Sequence, residues 1–189
     1  MSAAATIVST DLIELFDTVP DYLEYQSPQS IMDLESDYRV ALGRLAKAWG
    51  DQLLELAERP SVPLSSEDAE ALDSLLARIT DVFEQLNAFR GAVFDPENSA
   101  GRQRLRVSDA QILHTVESTM SLLAELDPAR GPGIRIEMHG APFHRRLLRL
   151  SRELRRRNRL LKGITEGPGS RTTRGRGAPP RHREGKGQP

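Results

Sequence analysis

The sequence predicts an all-α fold, a bundle of three to four long amphipathic helices with a disordered basic C-terminal tail. Apolar residues recur at spacings of three and four along much of the chain, which is the period of helices with one buried face. Only 5% of the 189 residues are aromatic and none is cysteine, which disfavours a β-sandwich and excludes a disulfide scaffold or a zinc finger. The chain divides into an N-terminal segment with a short helix (1–26), a helical bundle with a basic last helix (27–164) and a disordered Gly/Arg/Pro-rich tail (165–189).

The first two helices are predicted from caps and prolines. A short helix is expected over residues 11–16, ending before Pro20. Ser27 is a good N-cap and is followed by Pro28 at the first helical position, where the missing N–H costs nothing. The second helix should then run to about Glu58. Its apolar stripe consists of Ile31, Leu34, Tyr38, Leu42, Leu45, Trp49, Leu53 and Leu56.

A third helix is expected from Ser65 or Ser66, because acidic residues fill the first turn, where the helix dipole favours them. The next helix is predicted to begin at Ser108, with Gln111 three residues on as a capping box. The apolar face of this helix from Ser108 ends before Pro128. The third helix's stripe consists of Leu72, Leu75, Ile79, Phe83, Leu86, Phe89 and Val93.

Two short stretches, residues 104–107 and 134–138, alternate apolar and polar side chains as strands do. An isolated pair of strands is only marginally stable in water. Extended linkers are therefore the favoured prediction for both stretches, with a small strand pair as the alternative.

The last helix, predicted from Pro142 to Ile164, has the strongest functional signal. Its leucines follow a heptad seam, as in a coiled coil, and its arginines nearly encircle that seam. Arg157 occupies one seam position, where a buried unpaired guanidinium would be costly. We therefore expect this residue to face an acid, a groove edge or solvent.

Charge is distributed unevenly along the chain. Residues 1–129 carry 23 acidic and 9 basic residues, whereas residues 130–189 carry 4 acidic and 17 basic residues. This asymmetry indicates an acidic body with a basic end. Arginine outnumbers lysine 23 to 3 throughout the chain, as in proteins from GC-rich genomes.

The basic helix has three interpretations. In the first, its leucines pack inside the bundle while its arginines pair with acidic helices. In the second, the seam binds another protein, and in the third, the arginines neutralise nucleic-acid phosphates. The favoured function is a non-catalytic adaptor or chaperone-like protein that binds a protein partner. The residues expected at that contact are Leu147, Leu150, Leu154 and Leu161, with Arg152, Arg156 and Arg159 steering an acidic partner.

The alternative is a nucleic-acid-binding protein that uses the arginine-rich helix and tail. The tail segment 171–177 is similar to arginine–glycine segments that bind RNA, although it offers no aromatic residue for stacking. The possible nucleic-acid contacts there are Arg171, Arg174 and Arg176.

Residues 151–161, Ser-Arg-Glu-Leu-Arg-Arg-Arg-Asn-Arg-Leu-Leu, resemble the late-helix pattern of flagellar export chaperones for hook-associated proteins. The resemblance covers about a dozen residues. It implies a small all-helical protein that holds a client through its C-terminal helix. The sequence departs from the family at Gly163, where a Gly/Arg/Pro-rich segment follows instead of further helix.

No catalytic motif is found. The four histidines lack metal-ligand spacing, and no nucleophile elbow, phosphate loop or dinucleotide fingerprint occurs. We therefore predict no enzyme activity, no metal and no cofactor. No apolar run approaches the length of a membrane span, and residues 1–38 contain no basic residue, so a cytoplasmic protein without a membrane contact is expected.

Overall fold

The computed structural model describes residues 10, 12–22, 24–25, 27–58, 64–89, 91, 97–125 and 136–163, and all regular structure among them is helical. The all-α prediction is confirmed. The predicted disordered tail, with Arg171, Arg174 and Arg176, lies outside the described residues. The helices are α1 (residues 12–17), α2 (Pro28–Glu58), α3 (Ser66–Asn87), α4 (Ser99–Glu125) and α5 (Ile136–Leu161).

The predicted starts of α2 and α3 are confirmed by their caps. The Ser27 hydroxyl accepts from the Ser30 amide at 3.1 Å, and the Ser30 hydroxyl accepts from the Ser27 amide at 3.0 Å. Before α3, the Ser65 hydroxyl accepts from the Asp68 amide at 3.1 Å. In each case a short polar side chain satisfies an amide that has no partner within the helix.

The predicted start of α4 at Ser108 is wrong. The helix begins at Ser99, and the side chain of Asn98 accepts from the Gly101 amide at 2.9 Å as the cap. Residues 104–107 are neither a strand nor a linker but part of this helix. Ser108 is fully buried inside the helix, so it does not act as a cap.

The predicted start of α5 at Pro142 is also wrong, because α5 begins at Ile136 and contains Pro142. Residues 136–138 are therefore helical, whereas residues 134 and 135 lie outside the described part of the chain. A proline favours a helix start but does not require one. The helix ends at Leu161, close to the prediction, and Gly163 follows with a left-handed φ of 71° that suits glycine.

Hydrogen bonds between helices define the arrangement of the bundle. Helix α2 packs antiparallel to α3, since Arg39 of α2 reaches the Leu86 carbonyl while Gly50 faces Ile79. Helix α3 runs parallel to α5, since Arg78 bonds to His144 and Gln85 to Asn158. Helix α4 packs antiparallel to α5. Helix α5 therefore lies between α3 and α4, with one side of it facing the interior of the bundle.

The segment between α1 and α2 contributes to the core at one end of the bundle. Tyr22 and Tyr25 are 1% and 0% exposed and pack edge to face, with ring centroids 5.0 Å apart. They join an apolar cluster with Ile31 of α2, Leu105 of α4 and Leu161 of α5. Four parts of the chain thus meet at this end.

Candidate functional site

The structure places the four seam leucines inside the bundle. Each is at most 2% exposed. Leu147, Leu150 and Leu154 belong to the main core with residues of α2, α3 and α4. The internal interpretation of the seam therefore describes the folded chain. A partner could contact these side chains only if α5 left the bundle. The leucines concerned are Leu147, Leu150, Leu154 and Leu161.

The predicted steering arginines are placed differently from one another. Arg152 and Arg159 are exposed, whereas Arg156 is half-buried. Arg156 donates to the side-chain oxygen of Gln111 on α4 at 3.2 Å. Two of the three arginines therefore lie at the surface of α5.

Arg157 faces two acids. The sequence predicted an acid, a groove edge or solvent beside this residue, and the first of these is found. Its Nη1 and Nη2 donate to the two oxygens of Glu35 at 2.5 and 2.7 Å, and its Nε donates to Asp109 at 2.6 Å. All three side chains are nearly inaccessible, with exposures of 1%, 0% and 3%. Bidentate geometry and full pairing offset much of the cost of burying these charges.

Two tyrosines complete this buried group. The Tyr22 hydroxyl donates to Asp109 and accepts from Arg157 Nη2 at 3.2 Å. The Tyr25 hydroxyl donates to Glu35 at 2.5 Å. The segment before α2 is thereby hydrogen-bonded to carboxylates of α2 and α4. We call Tyr22, Tyr25, Glu35, Asp109 and Arg157 the Arg157 cluster.

A second arginine extends the cluster towards α3. Arg39 donates to Glu35 at 3.1 Å, to the Leu86 carbonyl at 2.9 Å and to the Asn158 side-chain oxygen at 2.7 Å. The Asn158 amide in turn donates to the Gln85 carbonyl at 2.8 Å. Asn158 therefore joins α5 to α2 and α3 of its own chain.

Burial and pairing shift the ionisation of these groups. Burial alone would raise the pKa of Glu35, but the charge and hydrogen bonds of Arg157, with Arg39 and Tyr25, hold that pKa below its usual value. Burial would lower the pKa of Arg157, yet Asp109 and Glu35 keep it well above the ordinary arginine value. Burial raises the pKa of Tyr22 and of Tyr25. Glu35 and Arg157 are therefore ionised and both tyrosines neutral near pH 7, which suits a structural group.

Sequence reasoning identified Arg157 but missed its partners. Glu35 follows Ile31 by four positions and precedes Tyr38 by three, so it occupies a stripe position of α2. On α4, Asp109 likewise follows Leu105 by four positions and precedes Ile112 by three. One charged residue on the apolar stripe of each of three helices was the signal that could have predicted their pairing.

The exposed surface from position 145 onward in α5 is basic. From position 145 to 162, every exposed residue is arginine or lysine. No described ion pair or hydrogen bond involves the side chains of Arg145, Arg149, Arg152 or Arg155. We define the α5 basic row as the exposed basic residues of this stretch: Arg145, Arg149, Arg152, Arg155, Arg159 and Lys162.

The two layers of the bundle carry opposite charge. Among described residues, the exposed positions of α2 and α3 include nine acidic and two basic residues. Those of α4 and α5, with Lys162, include eight basic residues and one acidic residue. Helix α4 belongs to the acidic part of the sequence, but Arg104 and Arg106 are exposed near the end of the bundle where α5 ends, and Arg106 pairs with Asp21 at 3.9 Å. The fold therefore gathers basic residues from two sequence regions onto one layer.

Other kinds of site find little support among the described residues. None of their histidine and carboxylate groups forms a set of three or more that could hold a metal ion. Nor is any described helix both long and apolar enough to cross a membrane. No family model, curated protein or solved structure was found to match the chain.

Proposed function

We propose that this protein is a non-catalytic nucleic-acid-binding protein that contacts the phosphate backbone through the α5 basic row. The observation that supports the proposal is that every exposed position from 145 to 162 carries a basic side chain. A basic stripe along one helix is the electrostatic footprint of a nucleic-acid-binding surface. Arginine suits that role because its guanidinium matches phosphate geometry.

The dimensions of the row also fit a phosphate backbone. The row extends from position 145 to position 162, which is roughly 25 Å at about 1.5 Å per residue. Double-stranded DNA carries one charge per ~1.7 Å of its axis, so several phosphates lie within reach of such a row.

The composition of the surface favours a polyanion over a folded protein partner. The centres of protein–protein interfaces are depleted in charge and enriched in aromatic residues and methionine. No apolar residue from 145 to 162 is exposed, and the seam leucines are buried. The adaptor or chaperone-like function stays a proposal that would depend on Arg152, Arg156 and Arg159 without the leucines. The flagellar resemblance likewise stays a prediction.

The experiment is a titration of a fluorescent mixed-sequence duplex and of a single-stranded RNA with the full chain, read by anisotropy over a range of salt concentrations. Binding should weaken steeply as salt rises. The double variant Arg149→Gln/Arg152→Gln should weaken binding to all sequences alike. It should also reduce the salt slope by about 2, because each arginine that neutralises a phosphate adds about 1 to that slope.

The matched control is Arg44→Gln/Lys47→Gln, which removes the same charge from exposed positions of α2. It should bind as the parent does. Equal losses of affinity in both variants would show that only net charge matters and would overturn the assignment to α5. Absence of binding to both probes at low salt would reject nucleic-acid binding and return the adaptor function to first place. If the α5 variant kept full affinity and lost it when residues 164–189 were also removed, the contact would be assigned to the tail instead.

A further inference from the structure

The backbone beneath the α5 basic row is fixed by the core. The seam leucines of α5 are at most 2% exposed, so apolar contacts hold the helix along the length of the row. Between Arg155 and Arg159 of the row, Arg157 is bonded to carboxylates of α2 and α4. The backbone of the row therefore has one arrangement before any ligand binds, and such preorganisation lowers the entropy that binding costs.

The aromatic side chains of the protein lie away from this row. The chain has five phenylalanines, three tyrosines and one tryptophan, and from position 144 to 189 it has none of these. Phe83 and Phe89 are half-buried, Phe16 is exposed on α1, which is joined to α2 by an ion pair, and Phe94 lies outside the described residues. The other five are at most 1% exposed in the core: Tyr22, Tyr25, Tyr38, Trp49 and Phe143.

A duplex suits a fixed linear row of charge better than a single strand does. A flexible single strand loses conformational freedom when its phosphates align along one helix. Proteins that hold single strands compensate with aromatic side chains, and each base stacked on one strengthens binding by roughly tenfold. A duplex has a persistence length of about 50 nm, so it is already straight over the roughly 25 Å of the row. Over that length it presents about 15 phosphates, twice as many as one of its strands.

We propose that the α5 basic row binds double-stranded nucleic acid in preference to single strands, with its arginines on the phosphates along one side of the duplex. The proposal rests on the proposed function and adds the form of nucleic acid that the row selects. DNA and RNA duplexes share this backbone charge, so the experiment compares both. The row arginines without a described ion pair or hydrogen bond are Arg145, Arg149, Arg152 and Arg155.

The experiment is displacement of a labelled DNA duplex from the full chain at about 50 mM salt, read by fluorescence anisotropy. A duplex of about 16 base pairs extends roughly 54 Å at ~3.4 Å per pair, about twice the length of the row. The competitors are the unlabelled DNA duplex, an RNA duplex of the same sequence, and unstructured single strands of DNA and of RNA. Each single strand has about twice the number of nucleotides of one duplex strand, so that all competitors carry the same number of phosphates.

The duplexes should displace the label at about tenfold lower concentration than the single strands, the factor to which one missing base stack corresponds. Arg149→Gln/Arg152→Gln should bring the duplex and single-strand affinities closer together, because it removes two of the fixed charges that the duplex contacts. The matched control Arg44→Gln/Lys47→Gln removes the same charge from α2 and should keep the preference of the parent.

The tail is tested by a second full-chain variant, Arg171→Gln/Arg174→Gln/Arg176→Gln. This variant should also keep the preference for duplexes, because the preference is assigned to α5. Disappearance of the preference in the tail variant, or its full retention in Arg149→Gln/Arg152→Gln, would overturn that assignment.

The outcomes separate this inference from the proposed function. A single strand that displaces the label as well as the duplexes do would overturn the duplex preference and leave nucleic-acid binding standing. Failure of every probe to bind would reject nucleic-acid binding itself, and the preference with it. Stronger displacement by one of the two duplexes than by all single strands would support the proposal and show whether DNA or RNA is the better ligand.

Discussion

The guanidinium of Arg157 donates to both carboxylate oxygens of Glu35, at 2.5 and 2.7 Å, across 122 positions of sequence. Neither side chain is more than 1% exposed. Such a pair gains little stability over apolar residues of the same size, since desolvation opposes the attraction. Removal of one partner is expensive because the other charge remains buried. An arrangement that separates α2 from α5 while either charge stays buried is therefore disfavoured.

The first prediction concerns the removal of that cation. Arg157→Met should destabilise the protein by about 3–5 kcal/mol, because Asp109 would remain buried without a counter-ion and Glu35 would keep only Arg39. Urea denaturation followed by circular dichroism measures the change. The combined variant Arg157→Met/Asp109→Leu/Tyr22→Phe, which leaves Glu35 bonded to Arg39 and Tyr25, should recover much of this stability. A single variant within about 1 kcal/mol of the parent would contradict the arrangement.

The second prediction is a decline of stability in acid. The pKa of Glu35 is lowered in the folded chain, so its contribution is present above its unfolded pKa of about 4.3 and disappears as pH falls through the folded value. Denaturation midpoints should therefore decline below about pH 5. Glu35→Gln should be less stable at pH 7 and should have a shallower acid decline. A parallel pH dependence in this variant and the parent would show that Glu35 does not cause the decline.

The local signals in the sequence were sufficient for the fold class and for the starts of α2 and α3. The caps at Ser27 and Ser65 are local, so the sequence reports them directly. Ser108 and Pro142 show the limit of such signals. Both residue types are common at helix starts, but tertiary packing decides whether a serine caps a helix or lies buried within one.

The functional residues could be predicted from the sequence only in part. The arginines of α5 and the problem posed by Arg157 were evident from spacing alone. The association of Arg157 with Glu35 and Asp109 depends on α5 lying between α3 and α4, and no local pattern specifies that order. The opposite charge of the two layers was missed for the same reason, since the exposed arginines of α4 and α5 share a layer only after folding.

The third prediction tests the two tyrosines that bond to the carboxylates of the cluster. Tyr25→Phe should cost about 1.5–3 kcal/mol, because a buried hydrogen bond to an ionised carboxylate is removed. Tyr22→Phe should have a similar cost through Asp109. Thermal denaturation measures both. The control is removal of the Tyr38 hydroxyl by Tyr38→Phe, which should be nearly neutral because that buried hydroxyl has no hydrogen-bond partner among the described residues.

The final prediction separates a core role of the seam leucines from a docking role. Leu154 is 2% exposed and lies in the main apolar core, so Leu154→Ala should destabilise the protein by about 2–5 kcal/mol. Leu54→Ala makes the same truncation on α2 at a side chain that is 45% exposed, and it should change stability by less than about 0.5 kcal/mol. Urea denaturation of both variants measures these two changes in the free energy of unfolding.

Equal stability of Leu154→Ala and the parent would mean that α5 does not hold its seam inside the bundle, and it would restore the leucines as candidate partner contacts. A destabilisation confined to Leu154→Ala would leave the charged surface of α5 as the part of this helix that can meet another molecule, because the apolar seam would then be fully engaged within the chain.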